Sequence, residues 1–336
     1  AAKPPKTWSD LKTAWNAYRV ETAKPDVDEN RAKNDYDEAR EIFVQIVTSW
    51  SKKLSDGVSF LTLPLTMILA CWNLKLGRGD RRVAWRVAAF LFFVVLLRTQ
   101  LEYGLTLTMF RSSLQLSAGV AFKFAVYYLA LEPILRKFWP GCLTAWSRAM
   151  TGRWQDPSLG HALLVGAAMS MVVPLIHAVL IGPSTEFNPL ALSGNTALLT
   201  FILRFIQFVA NWGAYVLIVL VIIRFAVKRD WVAMLITPLL LTLFWHINYA
   251  LEPSLFLIVL AAYYGTLMLL LLRLGVVAVF SFLFCHHLLL RVPIADGLGP
   301  DLTPTVVATL IILSLAGYGF YASIGGREQL IAKLAN

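Results

Sequence analysis

The chain has 336 residues, is 58% hydrophobic with a mean hydropathy of +0.65, and carries only 15% charged residues, against roughly 25% in a soluble domain. That balance excludes an ordinary soluble globular protein. Its net charge of +10 lies wholly beyond residue 57, because residues 1–57 hold 10 basic and 10 acidic side chains; a basic nucleic-acid-binding tail is therefore excluded as well.

Several apolar runs reach the ~20 residues that a helix needs to cross a bilayer. The strands of an outer-membrane barrel would alternate apolar and polar residues, and these runs do not. The expected fold is an all-α, polytopic helical membrane protein. Three cysteines, Cys71, Cys142 and Cys285, show neither metal nor redox spacing. An odd count, with two members in apolar runs, argues against a disulfide framework and for small apolar fillers.

Residues 1–57 read as a soluble, charged helical segment outside the membrane. Trp8, Leu11, Ala14, Trp15 and Tyr18 recur at helical spacing, Lys24-Pro25-Asp26 breaks the pattern, and a second helix is expected from about Asn30 to Leu54. Such a hairpin is too small for a good core of its own, so it is expected to pack on the membrane domain or on a partner.

Residues 58–336 form the multi-pass domain. Nine spans are expected, at about 58–74, 83–104, 116–135, 161–181, 196–223, 231–249, 254–272, 274–290 and 304–323. The last pair before the C-terminal span is one long apolar run, divided at Arg273 and Gly275. The loop NLKLGRGDRR (73–82) holds Lys75, Arg78, Arg81 and Arg82. It lies between two apolar runs rather than between a strand and a helix, so its glycines predict a tight turn and not a phosphate cradle.

With that loop in the cytoplasm, basic clusters are expected after spans 3, 5, 7 and 9. They occur there: Arg136, Lys137, Arg148 and Arg153; Arg224, Lys228 and Arg229; Arg273; then Arg327 and Lys333. The alternate loops are poor in Lys and Arg, as in GPSTEFNPLALSGN (182–195). The positive-inside bias then places the N-terminus and residues 1–57 outside and the C-terminus in the cytoplasm. The loop 136–160 alternates Phe138, Trp139, Leu143, Trp146 and Trp154 with Arg and Lys. It is expected to lie in the interface with its rings at head-group depth, with a protein-docking surface as the rival reading.

Five stretches occur together in order: NLKLGRGDRRVAWRVAAF (73–90), YLALEPILRKFWPGCLTAWSRAMTGRWQDPSLGHALLVG (128–166), KRDWVAML (228–235), LLRLGVVAVF (271–280) and LAGYGFYASIGG (315–326). They resemble the C-terminal multi-pass membrane region of a group of bacterial serine/threonine protein kinases. PKTWSDLKTAWNAYR (5–19) is similar to the extracytoplasmic segment before that region. The resemblance implies a bacterial inner membrane. It does not carry kinase activity over, because the chain has no Gly-rich loop with a strand lysine, no HRD-type loop and no DFG. A fragment, or a gene keeping the membrane module alone, would fit. AAKPP at the start fits a signal-peptidase cut or a removed initiator Met.

Ionisable side chains inside a span are site candidates by default, because burying them is costly. Under the expected topology they gather in the outer half: Arg98 and Glu102, Lys123, His177, Arg204 and Gln207 followed by Asn211, His246, and Glu252. The functional reading is an outward polar cavity for an anionic ligand or lipid head group; the structural one is snorkelling or interhelical pairing.

His177, His246, His286 and His287 would be the ligands of a tetrapyrrole, but no spacing signature supports one, and no cofactor is expected. Glu132-Pro133 belongs to the resembling stretch, and Pro133 is expected to kink span 3. Intramembrane proteolysis would need Glu132 and a histidine at one depth, and His246 is expected at the other face. Pro174, Pro238 and Asn211-Trp212-Gly213 interrupt spans, as in transporters, but no inverted repeat is visible. The expected role is a non-catalytic sensor, scaffold or accessory subunit in contact with lipids and other membrane subunits and not with nucleic acid. Transport or conduction of a small, possibly anionic, ligand is the alternative.

Overall fold

The computed structural model describes residues 62–104, 106–180, 197–249, 255–291 and 303–325. The segment 1–57 and its hairpin lie outside them. Every regular element among the described residues is helical. Helix α1 covers 62–75. Then come α2 (Arg81–Tyr103) and α3 (Leu107–Phe138), a 3-10 turn (Pro140–Leu143) and the short α4 (Thr144–Met150). The remainder is α5 (Pro157–Leu180), α6 (Ala197–Val227), α7 (Asp230–Tyr249), α8 (Leu255–Arg273), α9 (Val276–Arg291) and α10 (Thr303–Ser323).

Among the described residues five stretches are long and apolar enough to cross a membrane: Arg81–Tyr103, Leu107–Phe138, Pro157–Ile176, Leu199–Val227 and Val306–Ser323. Shorter apolar stretches fill α7, α8 and α9. Their exposed faces carry Phe90, Phe93, Leu97, Leu235, Leu239 and Leu313, a composition that suits lipid tails.

The helix ends follow from local sequence. Asp80 caps α2: its side chain accepts from the backbone N–H groups of Arg82 (3.0 Å) and Val83 (3.1 Å), which have no intrahelical partner. The long apolar run 254–290 breaks where Arg273 and Gly275 interrupt it. Gly275 stands at φ +86°, and a Cβ there would overlap the Cys142 carbonyl oxygen. Both the backbone angle and the close approach therefore require glycine.

Contacts between helix ends fix the alternation of directions. The end of α3, the start of α9 and the end of α10 all meet the loop that holds α4. Phe138 of α3 packs its ring on Phe225 of α6, and Arg224 of α6 pairs with Asp230 of α7. One end of the bundle, called here the loop end, therefore gathers the 76–80 turn, α4 and these termini.

Helices α9 and α10 each approach α5 closely. A Cβ built on Gly166 would lie 2.5 Å from the Ala278 carbonyl oxygen, and one on Gly319 would lie 2.9 Å from the Leu164 backbone nitrogen. Small residues let backbones approach where no hydrophobic force separates helix from lipid. Ser281 adds an interhelical bond, its hydroxyl donating to the Leu163 carbonyl at 2.8 Å. The main core runs through Val216 and Leu220 of α6, Leu267 of α8 and Phe282 and Leu283 of α9. Loop 136–160 joins it: Cys142, Leu143, Ala145 and Ala149 are buried, and Trp146 meets Phe280 edge to face. Trp154 stays exposed. All three cysteines are free thiols.

Candidate functional site

At the loop end, residues 73–82 close over α3. Pro133 sits inside that helix. It has no N–H to give the carbonyl four residues earlier, that of Leu129. The buried Asn73 amide supplies the missing donor, to the Leu129 carbonyl at 3.0 Å and to that of Ala130 at 3.1 Å. One step along, Glu132 is buried, its side chain 5% exposed. Its Oε2 accepts the Asp80 N–H at 3.1 Å, and its Oε1 pairs with Arg136.

The glycines of the loop serve this docking. Gly77 and Gly79 both take positive φ, and Gly79 lies against Leu129. The loop is thus a turn bonded to α3 through one amide and one carboxylate. Lys75, Arg78, Arg81, Arg82 and Lys137 are exposed, and among the described residues none of them makes an ion pair.

At the opposite end, the ionisable residues of α2 and α6 meet. Glu102 accepts from Arg98 at 2.6 Å and also pairs with Arg204. Arg98 and Glu102 are 13% and 11% exposed, and Arg204 is 63% exposed. Glu102 therefore joins α2 to α6. Nearer the middle, the Lys123 ammonium of α3 donates to Asn211 Oδ1 of α6 at 2.5 Å, and Asn211 donates to the Gln207 carbonyl at 2.8 Å. Arg98, Glu102, Lys123 and Arg204, four of the expected residues, thus take side-chain partners, while Gln207, a fifth, takes part through its backbone carbonyl. His177 and His246 belong to α5 and α7, but their side chains lie outside the described set, as does Glu252.

His286 and His287 sit in an aromatic nest. The His286 ring stacks on Phe282, and the His287 ring meets Phe208 edge to face. The Tyr263 hydroxyl is 3.2 Å from His287 Nε2. Among the described residues no group of three His, Cys, Asp or Glu side chains is placed to hold a metal ion.

One large cavity is mostly apolar. It measures about 890 Å³ and is bounded by α2, α3, α4, α5, α6, α9 and α10, near the top of the ~300–1,000 Å³ range of small-molecule sites. Its deep wall includes Phe124, Val209, Ala210 and Phe284; polar side chains in the lining include Arg86, Tyr128, Glu132, Trp146 and Tyr318, with Tyr127, Thr151 and Ser281. The Tyr128 hydroxyl and the Trp146 indole N–H are buried and stand close together, yet neither completes a well-formed hydrogen bond. Arg86 donates to the Met150 carbonyl and Tyr318 to that of Trp154, so two polar side chains hold the α4 loop at the rim.

Sequence reasoning did not find this cavity, because its lining is mostly apolar and drawn from seven helices. A signal for the loop docking did exist: a proline in a span announces an orphan carbonyl, and Asn73 is one of the few polar groups able to meet it. No family model, curated protein or solved structure matches this chain.

Proposed function

We propose that this chain is a non-catalytic membrane module of a bacterial inner membrane, acting as a sensor, scaffold or accessory subunit. In this reading it crosses about nine times, with the N-terminus outside, the C-terminus in the cytoplasm, and a relation to the membrane region of receptor-like serine/threonine kinases. The observation that carries it is that charged groups within the helices are held by polar partners inside the bundle. Glu102 takes both Arg98 and Arg204, and Lys123 takes Asn211. Charged groups committed to interhelical pairs define how helices sit and leave little to grip an ion in transit. The basic residues of the 73–82 loop and Lys137, which make no ion pair among the described residues, support a cytoplasmic loop end, by the positive-inside bias.

Mild-detergent purification from native membranes tests the reading. The expected result is co-purification with other membrane proteins at fixed ratio, and no substrate-dependent flux when the chain is reconstituted alone in proteoliposomes. Flux with a defined small anion, abolished by Lys123→Met, would replace it with the transporter reading.

A further inference from the structure

We propose that the loop-end cavity is a binding site for an anionic lipid, with its acyl chain among α3, α6 and α9 and its head group at Arg86. The proposal stands apart from the scaffold reading, since a sensor, a subunit and a transporter would each have room for such a ligand.

Three observations converge. The first is size and shape. The apolar space of about 890 Å³ is in the ~300–1,000 Å³ range of ligand sites and opens at the exposed Arg86 and Trp154, so an acyl chain has both room and access. Arg86 lies five residues into α2, roughly 7 Å along the axis, whereas Phe124 lies 14 residues before the end of α3, roughly 21 Å from the loop end at 1.5 Å per residue. The space is therefore elongated along the helices, as a chain of methylenes is.

The second is polarity concentrated toward one end. The Arg86, Glu132, Trp146 and Tyr318 side chains belong to the loop-end part of the lining, and Phe124, Val209 and Ala210 to the interior. A ligand that fits both is an amphiphile. The buried Trp146 N–H stands beside the Tyr128 oxygen, neither group has a well-formed partner, and the Tyr128 O–H is left to donate elsewhere, as buried donors of native proteins normally do. A head-group oxygen would accept from the Tyr128 hydroxyl.

The third is charge. Glu132 is already neutralised by Arg136 and by the Asp80 N–H. Arg86 has five N–H donors and spends one on the Met150 carbonyl. Arg82, one turn earlier, is exposed and makes no ion pair among the described residues. The rim is thus net positive, which favours phosphate or carboxylate over a zwitterionic head group.

The full chain in nanodiscs, doped with phosphatidylglycerol carrying a diazirine near the end of one acyl chain, would be photolysed and its adducts mapped by peptide mass spectrometry. The expected adducts fall on peptides bearing Phe124 and Ala210, in excess of those on lipid-facing Phe93. Ala210→Trp, which fills the deep end, should remove the cavity adducts and keep those at Phe93. Arg86→Gln should weaken labelling by the phosphatidylglycerol probe roughly tenfold, the size of one charge-assisted hydrogen bond. The matching phosphatidylcholine probe should be unaffected by that change. A diazirine fatty acid run in parallel separates the two sources of an anionic head; competition by either supports the site. Adducts confined to outward faces, or cavity adducts unchanged in both variants, would overturn it. Arg86 is exposed and at the rim, so its variant keeps the test decisive if Ala210→Trp does not fold.

Discussion

The two ends of the bundle use the same pair of residues differently. Each has a Glu and an Arg four apart on one helix: Arg98 and Glu102 on α2, Glu132 and Arg136 on α3. At the far end both members are largely buried, and the carboxylate reaches across to Arg204 on α6. At the loop end the carboxylate is buried but Arg136 is 48% exposed, and the second oxygen is given to a backbone N–H. One pair fastens helix to helix; the other fastens a loop to a helix. The difference follows from exposure, because a half-exposed guanidinium keeps its water while a buried one depends on its partner.

The contrast predicts an ordered set of losses, each measured as unfolding free energy in one detergent or by steric trapping in bicelles. Glu102→Leu should be the most damaging, at about 3–5 kcal/mol, because it leaves Arg98 buried without its counter-charge. An effect no larger than that of Glu132→Gln would erase the distinction between the ends. Asn73→Leu should follow at about 1–3 kcal/mol, the range for a buried acceptor left unmet, here the Leu129 carbonyl. Adding Pro133→Ala should recover much of that loss, since alanine restores the helix N–H; no recovery would mean that Asn73 serves another purpose. Arg204→Ala should cost no more than about 1 kcal/mol, as expected of an exposed partner.

The smallest expected effect is in the α4 loop. Asp156 is desolvated slightly, which opposes ionisation, but hydrogen bonds from Ser158 and Arg148 outweigh this and hold its pKa below the usual 3.8. Its contribution is therefore present above about pH 4 and lost as the pH falls through the lower folded value. Amide exchange of the 148–158 peptide, corrected for intrinsic rates, should rise on going from pH 6 to pH 3 in the parent chain and be nearly flat in Asp156→Asn.

The helical class and most helix boundaries were legible because a membrane span has a crude signature, a run of apolar residues ended by charge or glycine; α3 is the exception, starting at Leu107 rather than near residue 116 because its first turns are polar. The break at Gly275 is the clearest case: Arg273 and Gly275 stood out in an apolar run, and the chain turns there. The candidate polar residues were legible too, since any ion in such a run stands out. Their partners were not. Glu102 is four residues from Arg98 and 102 from Arg204, and only the first separation can be read along a helix. An outward anion pocket and an interhelical clamp are built from the same letters.

By itself, then, the amino-acid sequence determined that the chain is helical and apolar, where its loops turn, which residues are costly to bury, and that the basic charge sits in alternate loops. These are properties of short stretches, set by hydropathy, propensity and the chemistry of glycine and proline. Only the tertiary structure decided that Asn73 would repair the carbonyl freed by Pro133, that Glu102 would hold two arginines, and that seven helices would leave an elongated apolar cavity with its polar end at Arg86. Those outcomes depend on which distant helices meet. In a bilayer that choice rests on backbone fit and hydrogen bonding between helices, which hydropathy does not encode.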